Sequence, residues 1–153
     1  MIKICFVCLG NICRSPMAEF VLKEKLKNLN LSSKVIVESR ATSYEEQGNN
    51  MHYGTKEVLS KNNIPYTNHK ATRLEKDDYD KFDYFICMDS SNIRNTIRII
   101  GEDQYNKVFR LLDITELKRD VLDPWYTGDF NTTYNDINIG TDKIIELLQN
   151  NKL

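Results

Sequence analysis

No apolar run in the 153-residue sequence approaches the length of a membrane span, and Met1-Ile2-Lys3 leads into a strand pattern rather than a secretory leader. A membrane partner is therefore excluded and a cytoplasmic protein expected. Charge of one sign is also missing. With 21 Lys and Arg against 22 Asp and Glu, interspersed to a net charge of -1, no field exists to gather nucleic acid. Histidine is limited to His52 and His69, neither at ligand spacing from cysteines or acids, so no metal site and no cofactor is expected. The cysteines number four, and Cys5 and Cys87 read as buried free thiols rather than as parts of a disulfide framework. Repeats, linkers and low-complexity segments are absent. One domain over residues 1–153 is expected, a monomer long enough to bury about 70% of the unfolded chain's surface.

What is present is an alternation of strand and helix patterns. Ile2 to Val7 is short, apolar and β-branched, and suits a buried strand. Ser15 is the predicted N-cap of a helix from Pro16 to Leu29, with Ala18, Val21, Leu22, Leu26 and Leu29 on one face. Lys34 to Glu38 reads as a second strand, and Arg40 to His52 as a loop near the site. Thr55, Val58, Leu59 and Asn62 fit a short helix closed before Ile64-Pro65. Arg73 to Asp83 is a solvated, charged face anchored by Tyr79 and Phe82. Tyr84 to Met88 is a third strand, followed by a helix capped by Ser90 or Ser91, carrying Ile93, Ile97 and Ile100 and stopped at Gly101. Lys107 to Leu112 is a fourth strand, and Tyr134, Ile137, Ile144, Ile145 and Leu148 line a last helix. Such alternation predicts an α/β fold, a parallel sheet with helices on both faces and a ligand beyond the carboxyl ends of the strands.

The loop after the first strand lies at that end. Cys8-Leu9-Gly10-Asn11-Ile12-Cys13-Arg14-Ser15 joins a strand end to a helix start, where unpaired N–H groups and the helix dipole favour a bound anion such as inorganic phosphate. A thiol is nucleophilic as its thiolate, which amide donors and the Arg14 charge stabilise, so Cys8 is the candidate nucleophile. Five residues between Cys8 and Arg14 let the backbone curl around one tetrahedral oxyanion while the guanidinium grips two of its oxygens. Gly10 is expected to take a backbone conformation that other residues resist, and Asn11 tolerates positive φ. Cys5-Phe6-Val7-Cys8 is formally Cys-x-x-Cys, but residues three apart on a strand face opposite ways, so Cys5 reads as core.

These residues, with the continuation Ser15-Pro16-Met17-Ala18-Glu19, resemble the low-molecular-weight protein tyrosine phosphatases. Ser39-Arg40-Ala41-Thr42-Ser43, Phe82-Asp83-Tyr84 leading to Cys87-Met88-Asp89, and Asp123-Pro124-Trp125-Tyr126 follow in that family's order over nearly the full length. The resemblance implies a four-stranded sheet ordered 2-1-3-4. It also implies a phosphatase acting on tyrosine-phosphorylated protein or peptide: Cys8 attacks phosphorus, Arg14 and the N–H groups of Leu9, Gly10, Asn11, Ile12, Cys13 and Ser15 hold the oxygens, and Ser15 bonds the leaving thiolate.

Cleaving a phosphate ester requires an acid for the leaving oxygen, and hydrolysing the phosphocysteine requires a base. On its residues alone Asp123-Pro124 is an ordinary turn with two anchoring aromatics. With the resemblance, Asp123 takes both proton roles, and Trp125 and Tyr126, with Ile12, form the wall for a substrate ring. The resemblance further implies a reversible Cys8 to Cys13 disulfide, against a small buried filler at Cys13, and a network of His69 with Asn11, Ser15 and Ser39, against a surface histidine. The family usually has small residues where Arg40 stands and an aromatic on the rim near Tyr44 and Glu45, which leaves rim preference open. A protein-arginine phosphatase would carry threonine in place of Ile12. An arsenate reductase would need a further cysteine pair, and only Cys87 stands in its region. A binding module without turnover would not need both Cys8 and Asp123.

Overall fold

The computed structural model describes all 153 residues. Four parallel strands, β1 (Ile2–Cys8), β2 (Val35–Ala41), β3 (Tyr84–Cys87) and β4 (Val108–Arg110), form one sheet in the order β2-β1-β3-β4. β1 is central, with Cys8 beside Ala41 of β2 and Val7 beside Cys87 of β3. Alternation along β1 splits its side chains between two cores. Ile4, Phe6 and Cys8 pack with α1 (Arg14–Asn28), α2 (Tyr53–Lys61) and α5 (Phe130–Gln149), whereas Cys5 and Val7 pack with Phe82, Phe85 and Ile100 under α3 (Ser90–Ile100). Cys8 is thus the last residue of the strand on the α1 side, directly before the loop, and Cys5 is core on the other face. No helix is long and apolar enough to cross a membrane.

Several boundaries differ from the sequence reading. The first helix begins at Arg14 with Cys13 at the N-cap position and no side-chain cap, so Ser15 is not the cap and Pro16 is its third residue. α3 is capped by Asp89 rather than Ser90 or Ser91; Asp89 accepts from Asn92 N, and the Asn92 side chain accepts from Asp89 N. β2 continues past Glu38 to Ala41, paired with β1 over its whole length. The fourth strand is shorter than Lys107 to Leu112, because Leu111 and Leu112 turn into a 3-10 segment that buries both against α5. Gly140 makes that approach possible: a Cβ there would meet Leu111 side-chain carbons at 2.5 Å. Lys76–Asp80 is a 3-10 turn on the α3 side, where Tyr79 stacks on Phe85 and Phe82 is buried against it.

Candidate active site

The loop after β1 is an inside-out piece of backbone. The carbonyls of Cys8 and Leu9 accept from Thr42 N, and that of Leu9 also from Ser43 N and Oγ. The carbonyl of Ile12 accepts from His52 N, those of Ile12 and Cys13 from Thr55 Oγ1, and that of Asn11 from His69 Nε2 at 2.7 Å. By contrast, the N–H groups of Leu9, Gly10, Asn11, Ile12 and Cys13 donate to no protein acceptor. Carbonyls tied outward and amides left free make a nest for an anion. Asn11 takes the positive φ it is expected to tolerate, at 59°, while Gly10, read as equally permissive, is not among the residues with positive φ. Asn11 is anchored there by its own side chain.

That side chain sets the direction of a hydrogen-bond chain. Thr72 N can only donate, so the atom of Asn11 facing it is Oδ1, at 3.0 Å. The amide nitrogen then faces Ser15 Oγ at 2.7 Å and Ser39 Oγ at 2.9 Å and uses both hydrogens. Each serine oxygen accepts, which leaves each hydroxyl proton free to go on. Ser39 donates to Glu19 Oε1 at 2.6 Å, and Ser15 donates to Cys8 Sγ at 3.0 Å. Ser15 N also donates to this sulfur, at 3.4 Å. Asn11, Ser15, Ser39, Glu19 and Cys8 are all buried. Cys8 therefore faces two donors and the N-terminus of α1, an arrangement that suits a sulfur anion.

Arg14 is 2% exposed, with the carboxylates of Asp89 and Asp123 beside its guanidinium. Its NH1 donates to Asp89 Oδ2 and to the Val121 carbonyl, both at 2.8 Å, while NH2 lies 3.4 Å from Asp123 Oδ2. Burial works against the guanidinium's charge, but Cys8, Asp123 and Asp89 outweigh it and raise the pKa. One edge of the fork is thus fixed, and the other is held by the longer contact to Asp123. Asp123 is the N-cap of α4 (Pro124–Thr127), its Oδ1 accepting from Trp125 N at 3.1 Å. Cys13 belongs to the same wall but is another kind of thiol. Burial first, then the charges of Cys8 and Asp123, push its pKa up to about 12. The four cysteines are all free.

Cys8, Leu9, Gly10, Ile12, Cys13, Arg14, Glu45, Glu46, Asp123, Trp125 and Tyr126 line one cleft. Nucleophile, guanidinium, carboxylate and aromatics are brought together; His69 and Ser39 stand behind the loop, on Asn11. Arg40 lies away from the cleft, paired with Glu38 and Asp78 over the Phe82 ring. The sequence reading missed Asp89, Glu19, Thr55 and Thr72 as supports of the loop. Asp89 had a visible signal, an acid at the carboxyl end of β3, where sheets of this kind place ligands. His52 was also missed: it caps α2 through Nδ1, stacks on Phe130 with centroids 5.0 Å apart and meets Trp125 edge-on. Nothing in its spacing pointed to that.

Comparison with known proteins agrees with this arrangement. The family model described as low molecular weight phosphotyrosine protein phosphatase matches residues 3–153. The low molecular weight protein-tyrosine-phosphatase PtpA of Staphylococcus aureus is 38% identical over 149 residues, which cover 97% of this chain and 94% of that protein. Among solved structures, YfkJ of Bacillus subtilis superposes with a TM-score of 0.95 at 36% identity, covering 100% of this chain and 98% of the other. The low molecular weight protein tyrosine phosphatase SP-PTP of Streptococcus pyogenes gives 0.86 at 40% identity, over 97% and 93% of the two chains.

Proposed function

Because this chain belongs to the low molecular weight phosphotyrosine protein phosphatase family, we propose that it hydrolyses phosphotyrosine with Cys8 as nucleophile, Arg14 as phosphate clamp and Asp123 as acid and then base. The supporting observation is one cleft in which the Cys8 sulfur, a buried guanidinium and a carboxylate meet beside amide N–H groups that have no protein acceptor.

In the first step Cys8 Sγ attacks phosphorus in line and the bond to the tyrosine oxygen breaks, its electron pair leaving with that oxygen. Asp123 supplies the proton the oxygen then needs. The phosphoryl oxygens take over the Arg14 NH2 edge that Asp123 shares in the free enzyme, while Asp89 and Val121 keep the NH1 edge in place. The inward N–H groups meet the equatorial oxygens as charge builds on them. In the second step Asp123 takes a proton from water, the water oxygen attacks phosphorus, and the sulfur leaves as thiolate toward the Ser15 hydroxyl. Ile12, Trp125 and Tyr126 offer apolar surface to the phenyl ring, which favours aryl over alkyl phosphates. Four free thiols fit a reducing compartment, and the cytoplasm is the proposed location of a monomeric enzyme.

The test is hydrolysis of phosphotyrosine, phosphoserine and phosphoarginine peptides with chelator present, by the natural enzyme and by Cys8→Ser. Phosphotyrosine turnover that survives chelation and falls at least about 10⁴-fold in Cys8→Ser, with oxyanion binding kept, is expected. Preference for phosphoarginine, or ordinary turnover by Cys8→Ser, overturns the assignment.

A further inference from the structure

The remaining wall of the cleft carries no ring. Glu45 and Glu46 line it, whereas Tyr44, the aromatic beside them, turns to the surface: its hydroxyl donates to Glu75 at 3.1 Å and the Arg73 guanidinium lies 4.7 Å from its ring centroid. Glu46 is seated on the phosphate loop itself, since a Cβ on Gly10 would come within 3.4 Å of Glu46 Cγ. Its carboxylate accepts from Asn49 Nδ2 at 2.7 Å. Neither Glu45 nor Glu46 forms an ion pair within the chain. The nearby arginines are committed elsewhere, Arg40 to Glu38 and Asp78, Arg73 to Glu75, and Arg14 to Asp89 and Asp123.

The cleft thus has at its floor one guanidinium, Arg14, already shared between Asp89 and Asp123, and at its mouth carboxylates without ion-pair partners. Such a mouth opposes an approaching phosphate dianion unless a cation arrives with it. We infer that Glu45 and Glu46 are specificity-determining residues that select phosphotyrosine flanked by lysine or arginine in the substrate protein. An extended peptide advances about 3.4 Å per residue, so side chains one or two positions from the phosphotyrosine lie within reach of the rim. Glu45 is exposed and Glu46 half-buried at the rim, where a pair is worth little on its own, so each contributes about a two- to fivefold preference and the two together roughly tenfold. The inference rests on the phosphatase reading and adds to it which phosphotyrosines are taken.

The experiment compares two phosphotyrosine peptides, identical except that the residues flanking the phosphotyrosine are lysines in one and glutamates in the other. The ratio of their kcat/KM values is measured within each enzyme, so that any general loss in a variant cancels. For the natural enzyme at low salt a ratio of roughly ten in favour of the basic peptide is expected, expressed in KM. It falls to within about twofold in Glu45→Gln/Glu46→Gln and shrinks toward that value at ~0.5 M salt. A ratio near one in the natural enzyme, or a large ratio that survives the double substitution, overturns the inference. A small aryl phosphate without a peptide separates the two readings. An enzyme inert toward it loses the phosphatase assignment and this inference together, while one that turns it over but does not discriminate between the peptides loses only the inference.

Discussion

Between Cys8 and Ser15 the chain is tied on its outer side to four other stretches, through Thr42 and Ser43, His52 and Thr55, His69, and Thr72. From Leu122 to Tyr126 the chain is largely exposed: Leu122, Trp125 and Tyr126 are 57%, 57% and 77% exposed, only Pro124 is buried, and Asp123 reaches the loop after β1 through one contact of 3.4 Å. The two regions share a cleft and divide its tasks. Positioning an anion requires donors that do not move when charge develops, which a network anchoring the carbonyls of Cys8, Leu9, Asn11, Ile12 and Cys13 supplies. Delivering a proton to one leaving group after another requires a carboxyl that substrate can displace from its resting partner. The first region is over-determined and the second is held lightly.

Substitution of the acid breaks this division most sharply. Asp123→Asn keeps the shape and the cap of α4 but has no proton to give. Turnover of aryl phosphates with poor leaving groups is expected to fall about 10²- to 10³-fold, and that of good leaving groups far less, since a stable phenolate departs unaided. A series of substituted phenyl phosphates measures this. Equal losses across the series would move Asp123 out of the proton-transfer step.

Stability sharpens the same comparison. Asn11→Ala removes two buried hydrogen bonds and a part-buried one and places alanine at a φ of 59°, so a loss of about 2–4 kcal/mol in denaturant unfolding is expected. Asn11→Gly relieves the backbone but not the orphaned serines, and should recover only part of it. Trp125→Ala, at an exposed position of the opposing loop, should stay within about 0.5 kcal/mol while raising KM for aryl phosphates severalfold. Similar unfolding losses in Asn11→Ala and Trp125→Ala would erase the distinction between a fixed loop and a lightly held one.

The contrast also decides what was legible in the sequence. Cys8 and Arg14 share one local stretch whose strand before and helix after show in hydrophobic period, so the candidate nucleophile, its candidate clamp and their place at a strand end could be read directly. The sheet order could not; it came from resemblance, because no local pattern says which strands pair. Asp89 and Val121 meet Arg14 across 75 and 107 positions, and such contacts leave no trace in spacing. Glu19 lies in the Ser15-Pro16-Met17-Ala18-Glu19 motif on α1, yet its partner Ser39 is on β2. The choice between Gly10 and Asn11 has a similar cause: their residue types mark both as permissive, and the contact of Asn11 with Thr72 N accompanies the turn at Asn11.

Cys8 and Cys13 repeat the comparison within a single loop, and the smallest effect is expected there. Cys8 receives the Ser15 hydroxyl and amide, whereas Cys13 is 5% exposed and its thiol is pushed up to about 12, chiefly by burial. A folded-state value above the unfolded one means that the neutral thiol is preserved on folding. This contributes stability at pH values below the ordinary thiol range, and the contribution fades as pH rises toward 12. At neutral pH Cys13 is then no nucleophile toward substrate, and Cys13→Ser should change kcat by less than about twofold. Its chemistry would begin only after peroxide converts Cys8 to a sulfenic acid. The Cys13 sulfur then displaces hydroxide from the Cys8 sulfur, its thiol proton leaves with that hydroxide as water, and one disulfide forms. Peptide mapping after peroxide should show the Cys8 to Cys13 bridge in the natural chain and sulfinic or sulfonic acid at Cys8 in Cys13→Ser. Irreversible oxidation at Cys8 with Cys13 still present would make Cys13 a buried filler, leaving the loop's second sulfur to packing alone.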